Sequence, residues 1–302
     1  VSIAVSGESS AGNPISITHP VTVDLTPAAI TINTIATDDV INGAEKGADL
    51  TLSGTTTNVE AGQTVTVTFG GKNYTASVAS DGSWSATVSA ADLALLTDGS
   101  ASAQASVSNI NGNSASAVHN YSVDSSAPTI IINTVASDNI VNASEADAGV
   151  TVSGSTTAEA GQIVTVTLNS PTVQTYQATV QADGSWSINI PAADLEALTD
   201  GSHTLTATVN DKAGNPASTT HNLAVDLTVP VLTINTIAGD DIINAAEHGQ
   251  ALVISGSSTG GEAGDVVSVT LNNKTYTTTL DASGNWSVGV PAADVTALGS
   301  GP

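Results

Sequence analysis

The chain repeats itself. Ile30–Glu45 reads ITINTIATDDVINGAE, Ile130–Glu145 reads IIINTVASDNIVNASE, and Leu232–Glu247 reads LTINTIAGDDIINAAE, at shifts of 100 and 102 residues. Trp84, Trp186 and Trp286 lie in DGSW, DGSW and SGNW, and Asp24, Asp124 and Asp226 each close a strand-like tail: THPVTVD, VHNYSVD and THNLAVD. A period near one hundred residues makes each copy a small domain rather than part of one large one. The composition agrees, because Trp 3, Tyr 4 and Phe 1 leave the interior to Val, Ile, Leu and Ala. Aliphatic residues of that kind suit many similar, modest cores.

Within one unit, Asp124 to Asp226, apolar and polar residues alternate in short runs. Val164, Val166 and Leu168 alternate with Thr165 and Thr167; Tyr176, Ala178 and Val180, then Trp186, Ile188 and Ile190, then Leu205, Ala207 and Val209 follow the same rule. Period-two alternation puts one face of each strand in a core and the other in water. Adding 129–133, 150–153 and 217–225 gives seven strands. Seven short strands per hundred residues, punctuated by Gly, Asn and Asp, predict an all-β fold: tandem immunoglobulin-like seven-strand β-sandwiches, end to end as a rod, without a disulfide since Cys is 0. One helical turn is expected, at PAADLEAL from Pro191, with Pro at its first position. Asp-Leu-Thr and Asp-Ser-Ser before Pro230 and Pro128 are the most linker-like points. They predict 1–24 as the last two strands of one repeat, 25–124 and 125–226 as whole repeats, and 227–302 as a repeat lacking its last two strands. The alternative phase starts a unit near Val1 and counts three whole units.

Asp+Glu 28 against Lys+Arg 4 gives a net charge of −24. Nucleic acid and anionic membranes need a basic footprint, so neither is an expected partner; cations are. No apolar run approaches the ~20 residues that insertion into a bilayer requires. Val1 opens on alternating residues rather than a charged and then apolar leader, which reads as an internal piece of a soluble chain. No nucleophile elbow, HExxH, P-loop or dinucleotide glycine motif occurs. His19, His119 and His221 recur five residues before the tail Asp and so belong to a strand of every unit, with a packing or surface role. An enzyme is not expected.

Acidic residues recur at five places. Asp38, Asp39, Asn42 and Glu45 return as Asp138, Asn139, Asn142 and Glu145, and as Asp240, Asp241, Asn244 and Glu247. The others are Asp98 and Asp200, with Ser300 in the third copy; the tail residues Asp24, Asp124 and Asp226; Glu60, Glu159 and Glu262 in Glu-Ala-Gly; and the glycine turn Asp211-Lys-Ala-Gly-Asn215. Asp and Asn also populate turns for local reasons. Five recurring positions that sandwich topology sends to the same boundary instead favour hard oxygen ligands for Ca2+ at the interdomain junctions. Asp38, Asp39, Asp98 and Asp124 are expected to meet Glu159 and Asp211, and Asp138, Asp200 and Asp226 to meet Glu262.

Taken together, VDLTxPxxTINTIAxDDxINAAE, VSGST, DGSWS and the PAADL…DGSHTLTATVNDKAGNPAS stretch resemble the bacterial Ig-like repeats of giant type I-secreted, non-fimbrial adhesins. The resemblance covers essentially the whole chain. It implies an extracellular location at the bacterial surface, calcium between domains, neighbouring repeats of the same chain as the immediate partners, and support of adhesion to host cells, matrix or biofilm. Its junction pattern falls on Asp38, Asp39, Asp138, Asp240, Asp241, Asp211 and the linker aspartates, with Asn139 and Asn109 as departures. A receptor- or glycan-binding module is the alternative, and a spacer in a secreted hydrolase a third reading. A glycan module would need exposed aromatic platforms.

Overall fold

The computed structural model describes residues 1–169 and 173–301. Residues 125–226 show how the alternation is used. Val164, Val166 and Leu168 on the strand Ile163–Asn169 are fully buried, and so are Leu205 and Ala207 on Gly201–Asn210. Strands Ile130–Ile132, Val150–Thr156 and Ser185–Ile190 form one antiparallel sheet. A second sheet has the order Ile140–Asn142, Pro216–Asp226, Gly201–Asn210, Ile163–Asn169, Gln174–Thr179. Trp186, Val152, Ile190, Leu195 and Leu223 fill the space between them. Residues 29–123 repeat this two-sheet sandwich around Trp84, Leu52, Leu93 and Phe69.

Each tryptophan fixes a glycine. A Cβ added at Gly154 would lie 1.9 Å from the Ile131 carbonyl oxygen and 2.5 Å from Trp186 Cζ2. Gly54 and Gly256 meet Trp84 and Trp286 in the same way. Only a missing side chain lets the indole lie across the strand beside it.

Residues 227–301 form a three-stranded sheet and a separate pair, Val266–Leu271 with Lys274–Thr279, around a smaller core that includes Trp286, Ile254 and Val290. Residues 1–24 contain one hairpin, Ser2–Glu8 with Pro14–Pro20, exposed on both faces. The expected helical crossing is present at Ala192–Glu196, with Leu195 and Leu198 buried.

The middle sandwich adds an eighth strand to the seven expected. After Ile132 the chain changes sheets, and Ile140–Asn142 pairs parallel with the last strand, Val141 opposite Val225 and Asn142 opposite Asp226. The first sandwich does the same with Val40–Ile41 against Ser122–Val123. This parallel pair brings Asn42 and Asn142 alongside the tail aspartates and sets the geometry of each boundary.

Candidate functional site

Asp98 follows the helical crossing and holds the linker. Its Oδ1 accepts the Ser125 N–H at 3.1 Å and the Ser125 hydroxyl at 2.7 Å, and its Oδ2 accepts the Ser126 hydroxyl at 2.7 Å. Asp200 repeats the grip on Leu227 N–H (2.7 Å) and the Thr228 hydroxyl (2.6 Å). The Ser126 and Ser125 hydroxyls hold the Asp98 carboxyl below its ordinary range; the Thr228 hydroxyl and Leu227 amide do so for Asp200. Hydrogen bonds to a carboxylate favour its charged form. Asp24, Asp124 and Asp226 each turn back to accept the N–H two residues on. The Thr26 amide is the main reason that the Asp24 carboxyl also lies low.

Across the boundary at residue 124, the Gly43 N–H donates to Asn215 Oδ1 at 2.7 Å, and Asn215 Nδ2 donates to the Asp124 carbonyl at 2.9 Å. Asn215 also donates to both oxygens of Asp211, and the Lys212 N–H donates to Glu159 Oε2 at 2.8 Å. Asp211 is 8% exposed and Asn215 3%. The boundary at residue 24 uses related parts. Asn109 replaces Asp211 and accepts from the Asn111 and Asn113 amides, Asn111 Nδ2 reaches Asp24 Oδ2 at 2.8 Å, and Glu60 accepts the Ile110 N–H. Beyond Asp226, Glu262 donates its N–H to Asp265 and has no loop equivalent to 211–215 beside it among the described residues.

The structure thus brings Asp98, Asp124, Glu159 and Asp211 to one boundary, and it uses the first recurring cluster elsewhere. Asp39 accepts the Ile35 N–H at 2.8 Å and meets His119 Nε2 at 2.6 Å within its own sandwich; those two contacts, the Ile35 amide first, lower its pKa. Asn139 meets Val135 and His221 in the same way, and Asp241 accepts the Ile237 N–H. Asp39, Asn139 and Asp241 have φ of 65°, 68° and 63°, a left-handed turn that Asp and Asn tolerate. The physical reason is register: Val40 stands level with Ser122, whose N–H donates to the Asp39 carbonyl, so Asp39 lies one residue before that level and short of the boundary. Asp38, Asp138 and Asp240 accept the N–H two residues on.

Glu45 and Glu145 are used within their own segments, although the helix of Glu45 reaches the junction through Gly43 and Lys46. Each completes a capping box with Asn42 or Asn142 on a short helix, Gly43–Lys46 or Ala143–Ala148. Glu247 makes the same bond to the Asn244 N–H. The Asn-x-x-Glu spacing before Ala-rich residues was the signal for these turns. Asn215, the last residue of the turn that begins at Asp211, is the residue that joins the two sides.

The bacterial Ig-like domain model matches residues 126–227. Over 97% of this chain, 37% of residues are identical to a Ca2+-stabilized adhesin that helps an Antarctic bacterium reach out and bind ice; the match covers 74% of that chain, with a TM-score of 0.47. The chain belongs to the bacterial Ig-like domain family. It is also 36% identical to a chain of a 1.5-MDa bacterial ice-binding adhesin, covering 90% of each, with a TM-score of 0.45. A single immunoglobulin-like domain from the M. primoryensis ice-binding adhesin matches 33% of this chain and 99% of its own length at 35% identity, with a TM-score of 0.28. No curated protein matches the chain. These Ig-like repeats are therefore homologous to repeat regions of large adhesins.

The donor set at the Ig-like boundary suits a hard cation. Asp98, Asp124, Glu159, Asp211, the Asn215 amide and the Asp124 carbonyl are all oxygen donors, as calcium prefers. Asp211 is nearly buried, yet only the neutral groups of Asn215 contact its carboxylate, and it has no ion-pair partner among the described residues. A buried charge is ordinarily paired or bound to a metal. Among the described residues no three carboxylate or imidazole side chains close together as a ready-made metal cluster; the set fits calcium by its oxygen chemistry and by the burial of Asp211, while Asp98 and Glu159 are exposed.

Proposed function

We propose that this chain is a structural segment of a large bacterial surface adhesin, whose Ig-like repeats are stiffened by Ca2+ where one meets the next. The observation that carries this reading is the near-buried Asp211, which has no ion-pair partner among the described residues and is joined through Asn215 to a linker already gripped by Asp98. Asp98, Asp124, Glu159 and Asp211 hold the ion at the boundary after residue 124. Asp200, Asp226 and Glu262 serve the boundary after 226, and Asp24 with Glu60 the one after 24. The bound ion supplies the positive charge that these carboxylates lack. Similarity to a protein described as a Ca2+-stabilized adhesin supports the choice of ion.

The repeats divide at 1–24, 25–124, 125–226 and 227–302. The immediate partners are neighbouring repeats; the location is extracellular, reached by type I secretion, and the role is mechanical rather than catalytic. Support of host-cell or biofilm adhesion follows from carrying a binding region away from the surface. A glycan-binding role is disfavoured because Trp84, Trp186 and Trp286 are core residues at 2–4% exposure.

The test compares the chain in millimolar calcium and in EGTA by calorimetry and small-angle scattering. An ion held at a hundred times its Kd adds about 2.7 kcal/mol, which raises the melting temperature of a domain this size by on the order of 10 °C. EGTA is expected to remove that gain and to broaden the interdomain distances while circular dichroism keeps its strand signal. Identical melting and scattering in both buffers would reject the calcium reading.

A further inference from the structure

Lys46 ends the short helix Gly43–Lys46. Its Nζ donates to the Leu96 carbonyl at 2.8 Å and to the Ser125 hydroxyl oxygen at 3.2 Å. Ser125 in turn donates to Asp98 Oδ1. The ammonium is therefore one hydroxyl away from the carboxylate that grips the linker. Its charge adds to the larger effect of the serine hydroxyls in keeping Asp98 ionised.

The chain has only four lysines against 28 acidic residues. Lys72 and Lys274 pair with Asp92 and Asp294 on the sides of their sandwiches. The remaining two, Lys46 and Lys212, both belong to segments that meet at the boundary after residue 124. One repeat later the equivalents of Lys46 and Ser125 are Ala146 and Leu227, and both pack into the core of the middle sandwich. Asp200 there is left with a backbone N–H and a hydroxyl, and no cation contacts it among the described residues. Polar tie and apolar plug thus exchange as a pair between two copies of one unit.

We propose that Lys46 is a tethered counter-cation for the boundary after residue 124, giving there part of the charge compensation that the next boundary obtains only from a bound divalent ion. This rests on the calcium reading above and specifies which joint needs the ion least. The joint after residue 124 stays more ordered when calcium falls than the joint after residue 226. A segment built this way bends at defined points rather than uniformly.

Because the chain has no cysteine, Thr51→Cys and Thr151→Cys, both exposed, carry a spin-label pair that spans the joint after residue 124 alone. Electron–electron resonance distances are measured in calcium and in EGTA for the otherwise wild-type chain, for Lys46→Met and for Lys46→Gln. The wild-type distribution is expected to broaden less in EGTA than that of either variant. Both variants broaden in EGTA and narrow again in calcium, since Gln offers hydrogen bonds without charge. Three results each overturn the proposal: Lys46→Met as narrow as wild type in EGTA; Lys46→Met broadened equally in both buffers; or Lys46→Gln indistinguishable from wild type. Calorimetric titration with CaCl2 separates the two readings. No calcium binding by any of the proteins overturns the calcium reading, while the EGTA comparison of wild type with Lys46→Met still judges Lys46. Position 146 shows that this site tolerates an uncharged residue.

Discussion

Asp98 and Asp200 perform the same task one repeat apart, and acid should undo both together. Each carboxyl has a folded-state pKa lowered below 3.8 by linker hydroxyls and amides. The contribution is therefore complete above the unfolded value and disappears as pH falls through the folded one. Both groups are exposed, so the effect is small on the sandwiches and concentrated in the linker. Scattering profiles recorded from pH 5 down to about pH 2.5 should show interdomain distances broadening below about pH 4 before strand content falls, and Asp98→Asn should broaden them at pH 7 already. Joints and strands lost in a single step would contradict this assignment. These aspartates were legible in the sequence because they recur beside a helical crossing that could be read. Asp39 was legible as a recurring residue but not as a placed one. Its position depends on a parallel register, and two paired residues leave no period to read.

At the scale of elements, the long strands announced themselves and the short ones did not. Ile163–Asn169 alternates over seven residues, enough to show which face is inside. Val40–Ile41 and Ile140–Asn142 are too short for alternation, so the sheet-switching segment read as a ligand-bearing loop. The capping boxes at Asn42 and Asn142 had a sequence signature, but competing oxygen chemistry claimed the same residues. The tryptophan–glycine pairs are clearer: SGT, SGS and the Trp turns recur together because one needs the other. Gly154→Ala would drive a methyl group into the Ile131 carbonyl and the Trp186 ring. Overpacking of this kind costs about 1–3 kcal/mol or more. Chemical denaturation followed by Trp fluorescence should show one of the three tryptophan-containing units unfolding earlier. A change under about 0.5 kcal/mol, as for a surface substitution, would mean that the indole can move aside.

For the whole molecule, the repeat period, the acidic excess and the absence of cysteine settle most of the architecture before any coordinates: similar aliphatic cores, no disulfides, and a surface suited to cations. What the sequence could not supply was the joint itself, where Asn215 bridges Gly43 and Asp124 and Lys46 reaches Ser125. Those contacts join residues 79 to 172 positions apart, and no local pattern encodes them. The central claim is that carboxylates of successive repeats share a divalent ion. Anomalous scattering from a crystal of this chain grown in calcium tests it most directly. The account predicts a peak within coordination distance, about 2.3–2.6 Å, of carboxylate oxygens from both sides of residue 124, Asp98 or Asp124 on one and Glu159 or Asp211 on the other. A well-ordered boundary with no anomalous peak, its carboxylates bonded only to amides and hydroxyls, would contradict it.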